Sequence, residues 1–289
     1  MLAASGTAAQ IPATDTITIT GTRAAPAVVH QHAIDFVHAT GVATGEVAAA
    51  RWIDPVCPRV VGITDAAAAA FVEEKVRSVA ADAGIAAAPA PCAANIAIVF
   101  AADGGAVVRA MVVKAAFRFH SVRPATIKTL IDGTAPIRWW YTSDTRDKDG
   151  SPPSRDPPPA IGLTNFNMSI PAGDDAAFVQ HRNTSLVSTE VIRVLHAATV
   201  VIDVTRTDGL PLSAVASFAA MVALAEIRAG AAPIDSVLGL FGGGAIRRSP
   251  SAWDVAFLRA LYRLPLDRTA QRQRGRLVAD LVAARPPQR

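Results

Sequence analysis

Aromatic residues make up only 6% of this 289-residue chain, and no run of its apolar residues approaches the ~18 that a membrane-crossing helix needs. The second shortage excludes a transmembrane helix. The first leaves alanine to carry much of the apolar content, which points to a core of closely packed helices. Cysteine is scarcer still: Cys57 and Cys92 are the only two, neither lies in a Cys-x-x-Cys pair, and no histidine cluster stands beside either. That pattern excludes the common zinc and dithiol redox motifs. A phosphate loop, a dinucleotide fingerprint and a nucleophile elbow are also missing. Gly242-Gly243-Gly244 lacks the Lys-Ser/Thr that ends a phosphate loop.

What is present suffices for a sizeable core. The hydrophobic share is 51%, too high for a disordered chain. The length allows one large domain or two small ones. Net charge is +4, and only the C-terminal segment concentrates it, in Arg259, Arg263, Arg268, Arg272, Arg274, Arg276, Arg285 and Arg289. A basic tail can meet nucleic acid or anionic lipid. No aromatic residue follows Tyr262 to stack on bases, so the segment reads as a solvated helix face and no nucleic-acid partner is expected.

At the other end, Thr7-Ala8-Ala9 before Gln10 has the small-residue character of a signal-peptidase site. Residues 1–24 therefore read as a signal remnant and flexible tail. The two cysteines are flanked by Pro55, Pro58 and Pro91, which predicts exposed, stiff loops. In an oxidising compartment a Cys57–Cys92 disulfide is the economical reading. The alternative, a nucleophilic cysteine, requires the fold to bring His120, His181 or His196 beside it.

Residues 25–289 read as one α+β domain, a mixed sheet packed with several helices. Helical spacing runs from Pro26 to Thr40 with Gly41 as the stop; His30, His32 and His38 on it read as surface residues. A helix capped by Thr64 or Asp65 runs to Ala83 before Gly84. Asn95–Phe100 is a short buried strand, and Asp103-Gly104-Gly105 opens a helix reaching about His120. Ile137–Tyr141 is a strand with Trp139 and Trp140 on opposite sides. An exposed proline-rich loop follows at 144–160. Ala197–Val204 is an apolar strand, Asp208-Gly209 turns, and an apolar helix runs from Pro211 to about Arg228. Ser251 with Asp254 caps a helix, and a last one spans Thr269 to Ala284.

Three resemblances attach to these residues. Ser251-Ala252-Trp253-Asp254-Val255-Ala256-Phe257-Leu258-Arg259-Ala260-Leu261-Tyr262, with the strand and helix before it, resembles the tail of bacterial zincin-like proteins over about residues 186–265. In that family a central helix carries a zinc-binding His-Glu-x-x-His. Here that helix reads Ala214-Val215-Ala216-Ser217-Phe218-Ala219-Ala220-Met221, without histidine or glutamate in register. The resemblance thus implies a degenerate scaffold with no metal and no cofactor. Arg51-Trp52-Ile53-Asp54-Pro55-Val56-Cys57-Pro58-Arg59 and Cys92-Ala93-Ala94-Asn95-Ile96 look like a family of exported alphaproteobacterial proteins without assigned activity. That likeness implies export and the Cys57–Cys92 bridge. Ile17-Thr18-Ile19-Thr20-Gly21-Thr22-Arg23 is similar to TonB-box-like segments, which add as a strand to a partner's sheet.

The expectation is a periplasmic or secreted protein with a non-catalytic binding or structural role, its partner another envelope protein or a cell-wall component. The alternative is an envelope hydrolase with a non-standard site under the 144–160 loop. Asp103, Asp203 and Asp208 follow strands, where sites form in layered α/β structures. Ser188, Thr189, Glu190 and His196 lie close together without the order of a triad.

Overall fold

The computed structural model describes residues 25–152, 188–189, 191–284 and 286. The first helix, α1 (Pro26–Thr40), starts on a proline that needs no amide partner and buries Ala33, Phe36, Val37 and Thr40 at helical spacing. It stops at Gly41, whose φ of 76° is left-handed and whose missing side chain leaves room for Arg228. Two short strands follow, β1 (Ala50–Arg51) and β2 (Pro58–Val61). Asp65 then caps α2 (Ala66–Ala83) by accepting the amides of Ala67 and Ala68, and Val72, Val76, Val79, Ala80 and Ala83 face inward. Next come β3 (Ile96–Ala101) and α3 (Gly104–Lys114). A 3-10 turn at Ala116–Phe119 and α4 (Pro124–Asp132) complete this stretch. The helix expected to reach His120 stops at Lys114, and α4 is an addition to the expected elements.

Two long strands, β4 (Ile137–Asp147) and β5 (Val191–Asp203), form the spine of the sheet. They run antiparallel, with a register slip between Thr142 and Ser143. Along the other side of β5, β1 and β3 lie end to end and parallel to it, and β2 is parallel to β3. Residues 144–147, expected to begin the exposed loop, therefore belong to β4: Asp144 to Asp147 pair with Val194 to Val191. Their charge suggested a loop, but cross-strand hydrogen bonds and the ion pair of Arg146 with Asp54 at 3.1 Å hold them in the sheet. The rest of that loop from residue 153 lies outside the described residues.

Helices cover both faces. On one, Ile96, Ile98, Trp139, Val200 and Ile202 pack against α1, α2 and three later helices: α5 (Leu212–Leu224), α6 (Ala252–Arg263) and α7 (Ala270–Ala284). On the other, Trp140 and Val201 pack with Val108, Phe119 and Leu130 from α3, the 3-10 turn and α4. Trp139 and Trp140 do face opposite sides, as strand alternation requires. The arrangement is mixed α+β, and among the described residues no helix is long and apolar enough to cross a membrane.

Every residue of α5 from Ala214 to Leu224 is buried. A buried helix end leaves its last carbonyls without water, and they must find donors. Here Trp52 Nε1 donates to Ala223 O at 3.0 Å and the Tyr262 hydroxyl to Leu224 O at 2.7 Å. The Tyr141 hydroxyl lies 2.7 Å from both Val222 O and Ala225 O and accepts the Ile227 amide at 3.1 Å. Trp139 Nε1 donates to Ile227 O at 2.8 Å. The helix thus ends at Leu224, short of the expected Arg228, because Ala225 turns extended under these side chains. Burial is the main force pushing both tyrosine pKa values above their usual 10, so both stay neutral donors.

At α6 the expected capping box forms. Ser251 Oγ accepts the Asp254 amide at 3.0 Å, and Asp254 accepts the Ser251 amide at 2.8 Å. The same buried carboxylate takes the Ser236 hydroxyl and the Val237 amide, joining α6 to the loop before it.

Because the Tyr141 hydroxyl serves both carbonyls and the Ile227 amide, Tyr141→Phe should destabilise the protein by about 1–3 kcal/mol. Urea unfolding at neutral pH measures this. A change within error would show that water replaces the hydroxyl there.

Candidate functional site

The carboxyl ends of β3 and β5 stand side by side, Ala101 opposite Asp203. Beyond them opens a cleft of about 490 Å³ lined by Asp103, Arg109, Asp132, Arg138, Asp203 and Arg206, among others. Layered α/β structures hold ligands at such strand ends. Asp103 caps α3 by accepting the Ala106 amide at 2.9 Å, and Gly104 and Gly105 form the first turn. Neither glycine can carry a side chain in place. A Cβ on Gly104 would fall 2.4 Å from Arg138 Nη1, and one on Gly105 2.5 Å from the Ile131 carbonyl.

Asp203 is the anchor of the cleft. It accepts the Thr205 hydroxyl at 2.7 Å and the amides of Gly104 and Arg206, each at 3.3 Å. Arg138 Nη1 lies 3.7 Å from it and Arg206 Nε 3.4 Å. Burial pulls its pKa upward, but these hydrogen bonds and the Arg206 charge outweigh burial and hold it below the usual 3.8. Arg138 reaches the cleft from β4, is only 5% exposed, and donates from Nη2 to Gly133 O at 2.6 Å. Its Nε and Nη1 have no hydrogen-bond acceptor among the described residues.

The aspartates read from strand ends thus divide. Asp103 and Asp203 share this cleft, whereas Asp208 is exposed and accepts the Gly209 amide in its turn. Sequence reasoning passed over Arg138, Arg109 and Arg206. The one legible signal was an arginine inside the apolar run Ile137-Arg138-Trp139-Trp140, where burial forces a charge to find a partner.

A second cleft of about 490 Å³ opens at the amino end of β3, beside the middle of β4 and β5, lined by Asn95, Phe117, Arg118, His120, Thr142, Asp144 and His196 with neighbouring alanines. His196 Nδ1 lies 3.6 Å from Asp144, and His120 Nδ1 lies 2.8 Å from the Phe117 carbonyl. Ser188 is placed at another pairing, its hydroxyl donating to Asp267 at 3.2 Å, and the Thr189 hydroxyl donates to Val191 O. Glu190 and His181 lie outside the described residues, as does the Ile17–Arg23 segment (Ile17, Thr18, Ile19, Thr20, Gly21, Thr22, Arg23).

Cys57 and Cys92 form a disulfide across 35 residues, joining the approaches to β2 and β3. The expected exposed loops hold only in part. Cys57 is buried, because its amide and carbonyl are both taken by Asn95 as the two strands begin to pair. Glu226, isolated in the sequence, forms a two-pronged ion pair with Arg193 at 2.8 Å. Several C-terminal arginines bond to their own chain: Arg259 to Asp82 O, Arg268 to Asp267, Arg274 to Ala43 O and Arg276 to Asp280. His32 stacks on Trp253 with ring centroids 4.1 Å apart, so it is a packing residue on α1. Among the described residues, no group of three or more His, Cys, Asp or Glu side chains is placed to hold a metal ion.

No protein-family model matches this chain, no curated protein matches it in sequence, and no solved structure matches it in fold.

Removing the Asp203 carboxylate would leave Arg138 buried without its counter-charge, so Asp203→Ala should cost about 3–5 kcal/mol at neutral pH. The native pKa of Asp203 lies below 3.8, so its contribution is complete above that pH and is lost as pH falls through the native value. Urea unfolding at several acidic pH values should show a shallower loss of stability in the variant than in the wild type. Parallel acid limbs would remove Asp203 from this role.

Proposed function

We propose that this chain is an exported protein that works by binding and not by catalysis, with its ligand held in the cleft beyond β3 and β5. One observation carries the reading: the cleft is open, yet its carboxylates are committed. Asp203 is fixed as an anion by hydrogen bonds and two arginines, and Asp103 is engaged in capping α3. A general acid or base needs a pKa near the working pH, and Asp203 is displaced away from it. The zincin-like likeness belongs to this reading as a scaffold alone, with Ala214–Met221 of α5 devoted to packing. The Cys57–Cys92 bridge supports export, since such bridges persist in oxidising compartments.

The test is a thermal-shift screen of neutral and charged envelope-derived small molecules against the wild type and Ala106→Trp. Ala106 is an exposed residue on the cleft wall, so the indole obstructs the cleft without disturbing the core. A saturating ligand should raise Tm by about 5–10 °C in the wild type only, and should be recovered unchanged. A shift that persists in Ala106→Trp, or consumption of the ligand, defeats the reading. Protein from its native host should also contain no alkylatable thiol.

A second reading, an envelope hydrolase with a non-standard site, is favoured by the pairing of His196 with Asp144 where the 144–160 segment begins. There His196 would act as the base and Asp144 would orient it. Loss of envelope-substrate hydrolysis in a folded His196→Ala variant would support it. Equal hydrolysis by both proteins would remove it.

A further inference from the structure

Resting on the binding reading, the geometry of the same cleft points to a ligand class: a tetrahedral oxyanion, either free phosphate or the phosphoryl group of a small phosphomonoester. The cations and carboxylates that line the cleft look balanced until each partner is followed. Asp132 is paired with Lys128 at 2.7 Å, outside the cleft lining. Asp203 is shared by Arg138 and Arg206. Asp103 has one oxygen on the Ala106 amide. Arg109 is left with neither a hydrogen bond nor an ion pair among the described residues, although its charge is felt by Asp132. The lining therefore carries a cation in search of an anion.

Two independent features point the same way. The first is the amino end of α3, an 11-residue helix whose first turn is Gly104-Gly105. Asp203 and Asp103 already take the Gly104 and Ala106 amides, so this turn offers a ligand the Gly105 amide, which lines the cleft, together with the helix dipole. The second is Arg138, buried beneath Gly104 with Nε and Nη1 lacking hydrogen-bond acceptors. Its charge is shared with Asp203, 3.7 Å away, so what it adds beneath the floor is N–H capacity that no acceptor fills among the described residues. Arg206, 46% exposed in its side chain, is tied at one edge by Asp203 and Thr134 O and retains further N–H groups for a ligand.

Donors thus converge from α3, from its first turn and from the loop after β5. Three directions suit a group presenting three acceptor oxygens better than a flat carboxylate with two. The cleft, about 490 Å³, falls in the range that holds small organic ligands, so a phosphomonoester fills it better than the bare ion.

Calorimetric titration of the full chain at low salt with inorganic phosphate and, separately, glycerol phosphate tests this. Saturable binding of either probe is expected; tighter binding of the ester identifies the phosphomonoester as the source, and equal binding identifies free phosphate. Arg109→Gln and Arg206→Gln should each weaken binding by about tenfold. Asp103→Asn, which retains a capping oxygen and removes a like charge, should tighten it by about threefold. Thermal unfolding of each variant verifies that the fold is intact. Absence of saturable binding of both probes up to about 10 mM overturns the inference, as does binding indifferent to these three changes. If neutral ligands stabilise the wild type but not Ala106→Trp while phosphate probes fail, the oxyanion falls and the binding cleft stands.

Discussion

The carboxyl end of α5 sets the constraint around which the rest of the molecule is arranged. A helix buried all round gains apolar contact along its length, but its last carbonyls are shut away from water with it. Each unpaired one would cost on the order of 1–3 kcal/mol. The chain answers with Trp52, Trp139, Tyr141 and Tyr262, which send their polar tips to the carbonyls between Val222 and Ile227. In a sequence with four tryptophans and two tyrosines, this single helix end engages most of them. These residues come from the segment after β1, from β4 and from α6. Satisfying one helix end therefore fixes the packing of three other parts of the chain.

The same strand β4 links that constraint to the candidate site. Trp139 and Tyr141 point toward α5, while Arg138 between them and the start of the strand points to the other face and the strand-end cleft. Its guanidinium sits under Gly104 and faces Asp203, the last residue of β5. A charge so deep is tolerated only because Asp203 and the Gly133 carbonyl compensate it. The compensation is incomplete in hydrogen bonds, since Arg138 Nε and Nη1 find no acceptor among the described residues. Core and site are thus two faces of one strand, and a displacement of β4 would be felt in both.

Much of the local structure was legible. Gly41 and Gly84 marked helix ends, Asp65 and Ser251 with Asp254 marked beginnings, and the β-branched run at Ile96 marked a buried strand. The reading failed where charge sat inside a paired strand. Asp144–Asp147 read as loop, and the strand expected from Ala197 begins at Val191, because polar residues break the apolar pattern in both segments. Both belong to the sheet, since hydrogen bonding between β4 and β5 does not depend on side-chain polarity. The α4 helix was missed because it is short and buries only Leu130.

By itself the sequence determined where most helices begin and end, which strands are apolar enough to be central, and that two cysteines stood in segments suited to a bridge. Those features depend on neighbours a few residues apart, through capping, turn preference and periodicity. Tertiary structure alone decided that Arg138 meets Asp203, that Glu226 meets Arg193, and that His196 meets Asp144 rather than Ser188 joining it in a triad. Each of these pairs joins residues 33 to 65 positions apart only because β4 and β5 align in one register and α5 folds back across them. Charges find their partners through that register, and no spacing along the chain records it.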